Sequence, residues 1–531
     1  MDLLAELAKL NLNSALLAGV KTLVDEAHAK DLKIQKLTTA CDLEVLKNRE
    51  LTTARDLEVL KNQKLTLELA HLKRLRFGVK SEALTAEQRS LFEDDTDQDL
   101  AAIEAELETP VPETKPRTPR IRAGRQPLPE HLERIEVRHE PETCTCGQCQ
   151  SNLVKIGEDI SEQLDIEPAR FFVIRHIRPQ YACRSCETVT AAPVDAAVID
   201  GGMAAPGLLA WVATSKYLDH LPLYRLEQIA ARQQVTLARS TLSEWIGRIG
   251  FALQPLADRL AELLHERVSL HADETPVQQL DPGKGKTKRA YLWAYRSNDL
   301  DGGPPMVVFD YQTSRSGKHA ADFLKDWRGT LMVDDYSGYK ALFGTGVTEQ
   351  ACWAHARRKF FDLDHGTPGG HPVAAEILAR IGRLYEIEVQ AKAADQETQR
   401  CLRMERAQPE LQALHDRLSE IRQRAAPGYG LAKACDYLLR RWPSFTRYAE
   451  TGDLPIDNNP VENAIRPIAI GKKNWLFAGS ERAGHRAAAI QSLLATAKLN
   501  GLEPSAWLKS TLEKLPTCLN SRIDELLPIK R

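Results

Sequence analysis

The chain has 531 residues, 43% of them hydrophobic, with a formal net charge of −2. That length predicts several domains, each with apolar residues enough for a core. The near-neutral balance excludes a protein that coats nucleic acid by bulk charge and leaves only local basic patches for such a task.

No apolar run reaches membrane-spanning length, and "MDLLAELAKL" lacks a secretory n-region, so a cytoplasmic protein with no membrane partner is expected. Residues 1–78 contain no proline and read as helix. A 14-residue repeat, "KLTTACDLEVLKN" (36–48) and "ELTTARDLEVLKN" (50–62), spans two heptads and returns Leu37, Leu51 and Leu65 to one face. Leu46 and Leu60 share that period, while Glu44 and Glu58 interrupt the first column. A coiled coil joining protomers into a homo-oligomer is the functional reading; a helical hairpin within one chain is the alternative.

Residues 79–130 read as a charged, Pro-rich linker. "EDDTDQD" (93–99) is a solvated acidic face, and "TPVPETKPRTPRIRAGRQPLPE" (109–130) carries Lys115, Arg117, Arg120, Arg122 and Arg125, which suit phosphate contacts. Five of the ten cysteines follow within 131–195. Cys146-x2-Cys149 and Cys183-x2-Cys186 are two knuckles, each able to supply two legs of a tetrahedron around a structural zinc. Cys144 competes as a ligand, and "FFVIRHIRPQ" between the knuckles reads as a strand. Residues 196–265 are helical. "LEQIAARQQVTLARSTLSEWI" (226–246) has a helix-turn-helix pattern, with a turn near Val235 to Leu237 and a second helix opened by Arg239 and capped by Ser240, where DNA-reading residues sit.

From residue 267 the period changes. "RVSLHADE", "RAYLWAYRS" (289–297) and "PMVVFDYQ" (305–312) read as strands. Then come helix "GKHAADFLKDW" (317–327), strand "GTLMVDDY" (329–336), a short helix "YKALF", strand "TEQACW" (348–353) and helix "AHARRKFFDL". That order is the order of the ribonuclease H-like fold, in which the first and fourth strands are neighbours. Asp273 in "SLHADETPV", where Pro276 is expected to stop the strand, and Asp334 then face each other. A third carboxylate is expected from Glu462, in the first turn of a helix that Asn459 caps and Pro460 begins. Arg466 lies one turn on, and Lys472 and Lys473 follow. Residues 266–365 and 453–515 form the two parts of this catalytic domain, 366–452 an all-helical insertion, and 516–531 a C-terminal tail.

Three carboxylates can hold two Mg2+ or Mn2+ ions about 4 Å apart, the arrangement that hydrolyses and transfers phosphodiesters. Arg357, Arg358 and Lys359 supply cations for the DNA backbone. Strand alternation sends Glu274 away from the face of Asp273, and Asp335 away from that of Asp334. His271 reads as a packed core histidine. Cys352 and His355 in "CWAH" have metal-like spacing, but Cys352 reads as a buried strand-end residue.

The chain resembles the large, DDE-type transposase of the insertion-sequence-66 family. The resemblance is carried by "LKRLRFGVKSE", "IGEDISEQLDIEPARFFVIRHIRPQYAC", "HADETPV", "VDDYSGYK", "CWAHARRKF" and "DNNPVENAIRPIAIGKKNWLFAGSERAGH". It implies an N-terminal zipper and DNA-binding region, a zinc finger, a catalytic triad of Asp273, Asp334 and Glu462, and two small accessory proteins as partners. The second acid of "VDDY" varies in the family, which favours Asp334 over Asp335. One departure is Gln150-Ser151 after Cys149, where the family's knuckle ends in Cys-Gly-Gly. The function implied is cutting and joining of double-stranded DNA ends with terminal inverted repeats to target DNA, in a bacterial, DNA-associated setting. The competing readings are a catalytically inactive regulator of those ends and a nuclease that cuts without joining.

Overall fold

The computed structural model describes residues 128, 130–140, 153–167, 170–281 and 286–530, with helical residues 22, 30, 33, 44, 47–48, 51–52 and 54–65 near the N-terminus. The chain divides into two compact units, 1–69 and 70–531. In the first, Leu51 and Leu65 are each 60% exposed on the helix, and Val59 is also exposed. Leu37, Leu46, the residues from 66 to 127, and Cys144, Cys146 and Cys149 lie outside the described residues.

The second unit opens with a four-stranded sheet. Strands β1 (Arg134–Arg138), β2 (Leu153–Glu167), β3 (Arg170–Cys183) and β4 (Val189–Ala191) are ordered β1-β3-β2, with β4 also on β3. β3 covers the expected strand, but β2 was not expected. Its charged run, "EDISEQ", hides a strand whose inward residues become apolar only toward the tip. There Leu164 is buried with Phe171 and Val173 in the main core. Leu164 donates its N–H to Met203 O and accepts from Ala205 N–H (2.9 Å), which ties the hairpin to the following helix.

Helices α1 (Pro206–Tyr217), α2 (Leu223–Arg232) and α3 (Arg239–His265) follow. The turn between α2 and α3 buries Val235 and Leu237. α3 is capped by the Ala238 backbone rather than by Ser240, which lies inside the helix.

Five strands form the second sheet: β5 (Ser269–Asp281), β6 (Lys286–Ser297), β7 (Val307–Gln312), β8 (Thr330–Val333) and β9 (Thr348–Ala351), in the order β7-β6-β5-β8-β9. β5 and β6 are antiparallel, as are β6 and β7, while β8 is parallel to both β5 and β9. The first and fourth of these strands are therefore neighbours. Pro276 does not stop β5, which runs on through it opposite Tyr291. The reason is register. Gln278 O and Leu280 N–H point away from β6 to Ala478, so the missing N–H of Pro276 also falls on that side, beyond the last pair with β8 at His271. Residues 337–339 and 342–344 form two 3-10 turns where one short helix was expected.

The sheet is covered on both faces. Leu270, Ala272, Trp293 and Tyr295 face α3 and α4 (Gly317–Leu324), while Val277, Leu292 and Ala294 face α11 (Asn459–Trp475). Between β9 and α11 lie α5 (Trp353–His365), α6 (Pro372–Ala391), α7 (Gln396–Leu402), α8 (Gln408–Arg424), α9 (Gly430–Leu439) and α10 (Trp442–Thr446). α6 begins at Pro372, its first-turn N–H of Ala374 is capped by His371 Nδ1, and Ile377, Ile381 and Leu384 repeat at helical spacing. These helices enclose a core of their own with Trp353, Phe360, Leu414, Leu438 and Phe445. α12 (Glu481–Leu499) and α13 (Pro504–Lys514) close the chain. The segment that follows α13 is packed rather than loose: Leu526 and Leu527 are buried, and Arg259 pairs with Asp524 at 2.7 Å.

Arg403, 1% exposed at the π-helical turn joining α7 to α8, pairs with Glu388 at 2.6 Å and donates to Tyr448 O and Thr451 O. Arg403→Ala strands Glu388 in the bundle, so a loss of about 3–5 kcal/mol is expected. Faster hydrogen exchange across α6 and α8 than across β5 and β6 would register it.

Candidate active site

Adjacent acids on β5 have opposite surroundings. Glu274 points to the face of Leu270 and Ala272, its side chain 1% exposed. Arg315 Nε donates to it at 2.7 Å and Tyr339 OH at 2.8 Å. Asp273 points to the α11 side, where its carboxylate accepts the N–H of Glu274 (2.8 Å). Burial pushes its pKa up to about 8, helped by the negative charges of Glu274, Asp334 and Glu462. The three predicted carboxylates thus share one electrostatic neighbourhood.

The same division recurs after β8. Asp334 is the first residue past the strand, and its Oδ1 accepts the N–H of Tyr336 (2.8 Å), closing a turn. Asp335 instead faces Arg441 and Lys340, each at 3.7 Å. Arg441, at the α9–α10 junction, also binds Glu349 of β9 (2.7 Å) and donates to Asp334 O (3.0 Å). The helical insertion therefore holds the backbone that presents Asp334. Nothing in the local sequence around Arg441 signals this.

Glu462 stands in the first turn of α11. The cap is Asn458 rather than Asn459, and its side chain does not bond to the helix. It is fully buried and reaches back to the sheet. Its Nδ2 donates to Ala272 O, and its Oδ1 accepts from His271 Nδ1, both at 2.9 Å. Its N–H bonds Cys352 Sγ (3.2 Å). His271 is thus a core group, as expected, and burial lowers its pKa to about 4, so it stays neutral. Asn459 turns to Asp457 (2.7 Å). Burial pushes the Cys352 thiol up to about 12.

His355 Nδ1 lies 3.7 Å from Glu462 Oε1, and both atoms are enclosed without a hydrogen-bond partner. The two residues line a cleft of about 340 Å³, together with Arg357, Arg358, Asn459 and Arg466. Lys359 is not part of it: its ammonium sits over the Tyr437 ring of α9 at 5.3 Å. Lys472 is spent on Pro276 O (2.9 Å), and Lys473 is exposed. Arg239, at the start of α3, pairs with Glu227 of α2 at 3.0 Å.

Among the described residues, no lysine or arginine forms an ion pair with Asp273, Asp334 or Glu462, while Glu274 has one such partner and Asp335 two. Among the described residues these three acids do not form a set of oxygens within 4.8 Å of one another, but acids in electrostatic reach without a counter-ion, one half-buried and one with an orphaned oxygen, suit a hard divalent cation. Of the predicted zinc ligands, Cys183 is buried at the end of β3 and Cys186 lies in the following turn. That turn is closed by Glu187 N–H to Cys183 O and by Cys183 N–H to Thr188 O, both 2.9 Å.

Fold and site together define a two-faced α/β domain with an acidic centre beside a basic cleft and a helical insertion. Residues 201–486 match the family described as "Transposase IS66 family", and residues 492–529 its C-terminal element. Residues 143–187 match the zinc-finger binding domain of transposase IS66, and 64–137 a domain described as "Transposase C of IS166 homeodomain". The chain belongs to the IS66 family of transposases. Its relatives include three proteins of Sinorhizobium fredii (strain NBRC 101917 / NGR234). "Uncharacterized protein y4jD" is 37% identical over 482 residues, covering 87% of this chain and 93% of its own length. "Uncharacterized protein y4qI" is 38% identical over 474 residues, 86% and 87% of the two lengths. "Uncharacterized protein y4hP" is 32% identical over 460 residues, 81% and 82%. Among the described residues, no helix is long and apolar enough to cross a membrane.

The raised pKa of Asp273 has a sign that can be measured. Its folded value of about 8 exceeds the unfolded value, so ionising it destabilises the fold increasingly as pH climbs from about 4 toward 8. Asp273→Asn is expected to raise the melting temperature of the metal-free chain at pH 8 by roughly 2 °C or more. The gain should vanish near pH 4; thermal scans at the two pH values check it.

Proposed function

We propose that the chain is a DDE-type transposase with a ribonuclease H-like catalytic domain, and that Asp273, Asp334 and Glu462 hold two Mg2+ or Mn2+ ions. The observation that carries this is the partitioning of the acids: at each adjacent pair, one carboxylate has a cationic partner and the other is left for the shared centre. When bound, such an ion pair supplies an activated attacking oxygen and a stabilised leaving oxygen.

The chain's own residues do the rest. Asp273 stays on a rigid strand, Asp334 on a turn held by Arg441, and Glu462 on a helix held by Asn458. Arg357, Arg358 and Arg466 flank Glu462 and suit the DNA backbone, with the exposed Lys473 nearby in sequence. Lys359 and Lys472 are already engaged, and Arg239 would have to exchange Glu227 for a phosphate. We infer that the zinc finger is built on Cys146, Cys149, Cys183 and Cys186. The exposed leucines of the N-terminal helix favour self-association through a coiled coil. The substrates are double-stranded element ends with inverted repeats, and target DNA; two small accessory proteins of the same element are the partners the family suggests.

The test is a strand-transfer assay in magnesium, on DNA carrying the inverted repeats that flank the reading frame. Wild type should join strands, and Asp335→Asn should retain most of that activity. Asp334→Ala should lose several kcal/mol of transition-state stabilisation, or about 10³-fold in rate. Cut but unjoined DNA would indicate a nuclease, and bound but intact DNA a regulator. Equal activity of Asp334→Ala and wild type would remove Asp334 from the site.

A further inference from the structure

We propose that Cys352, His355 and Glu462 form a second, distinct metal site, for a thiophilic divalent ion of the zinc class. The proposal stands on this cluster alone and survives if the catalytic reading fails. Among the described residues, these three side chains bring a sulfur, an imidazole nitrogen and a carboxylate oxygen within 4.8 Å of one another. Ligand atoms on one zinc, bound at about 2.0–2.3 Å, stand roughly 3.5 Å apart. His355 Nδ1 and Glu462 Oε1, at 3.7 Å, already have that separation, which is too long for a hydrogen bond. Both atoms are enclosed and unpartnered, a costly state for two polar groups unless something binds between them.

The scaffold is suited to the task. Cys352 precedes α5 and His355 sits in its first turn, three residues on, so both lie at one helix end. Asn458 N–H bonds the Cys352 sulfur (3.2 Å), the kind of support given to a ligating thiolate, and the same residue starts the helix that carries Glu462. The donor set discriminates between ions. Sulfur and imidazole favour zinc over magnesium, whereas the aspartates offer only hard oxygens. Three protein ligands leave a fourth position, and the cleft beside His355 and Glu462 is lined by Arg357, Arg358 and Arg466. An oxygen ligand there, water or a backbone phosphate, completes a tetrahedron. Glu462 has two oxygens, so Oε1 can serve this site while Oε2 remains for the aspartate side.

The experiment is bound zinc per chain, measured by elemental analysis on full-length protein after gel filtration. Cys352→Ser and His355→Ala are each expected to lose one zinc equivalent relative to wild type, with the melting temperature checked alongside. Cys183→Ser should lose a different equivalent, that of the zinc finger. After cobalt exchange, the spectrum of wild type minus that of Cys352→Ser should show a thiolate-to-cobalt charge-transfer band. Asp273→Asn should keep the zinc count of wild type whatever it does to strand transfer, which separates this site from the catalytic one. Equal zinc content in wild type, Cys352→Ser and His355→Ala, with no cobalt difference band, would overturn the proposal. His355→Ala keeps the test decisive if serine at the buried Cys352 position disturbs folding.

Discussion

One buried amide ties the strand that carries Asp273 to the helix that carries Glu462. Asn458 bonds the carbonyl of Ala272, the imidazole of His271 and, through its backbone, the sulfur of Cys352. It therefore joins β5, the start of α5 and the start of α11 at a single point inside the protein. Asp273 is one residue from Ala272, Glu462 is four residues from Asn458, and His355 is three from Cys352. Three segments separated by dozens to hundreds of residues are locked in register by bonds that are strong only because water is excluded. Removing that side chain would leave a buried carbonyl and a buried imidazole unsatisfied together.

Electrostatics then sorts the acids on either side of this junction. Like charges in a poorly hydrated place raise one another's pKa unless a cation intervenes. The fold resolves part of the repulsion internally, giving Glu274 to Arg315 and Asp335 to Arg441 and Lys340. Among the described residues it gives no lysine or arginine to Asp273, Asp334 or Glu462. Asp273 keeps a pKa raised by burial and by its acidic neighbours, a cost to stability that a cation offsets under the proposed two-metal reading. The insertion takes part in this sorting, because Arg441 reads Glu349, Asp335 and the Asp334 backbone at once.

Much of this was legible in the sequence, for reasons that are local. Apolar runs and their periods revealed the order of the five strands, and "DNNPVEN" announced a helix start. Strand alternation correctly split Asp273 from Glu274. What could not be read is tertiary. Pro276 looked like a strand stop because its tolerance depends on which edge its nitrogen faces. β2 was hidden because its charged residues are solvated along most of its length. Asn458 and Asn459 are indistinguishable as caps until one of them is seen buried against a strand. Lys359 and Lys472 read as DNA contacts, and their partners within the fold, the Tyr437 ring and Pro276 O, lie too far along the chain for a local pattern to show. The pairing of "CWAH" with Glu462 joins residues more than a hundred positions apart, and no spacing rule reaches that far.

The central claim is that Asp273, Asp334 and Glu462 converge on one divalent-cation centre while Glu274 and Asp335 do not. The most direct measurement is a crystal structure grown in manganese with an element-end DNA, with the ions located by anomalous scattering. Anomalous density contacting Asp273, Asp334 and Glu462 is expected, with Glu274 still on Arg315 and Asp335 on Arg441. Manganese bound through Glu274 or Asp335, or density that skips Asp273, would contradict it.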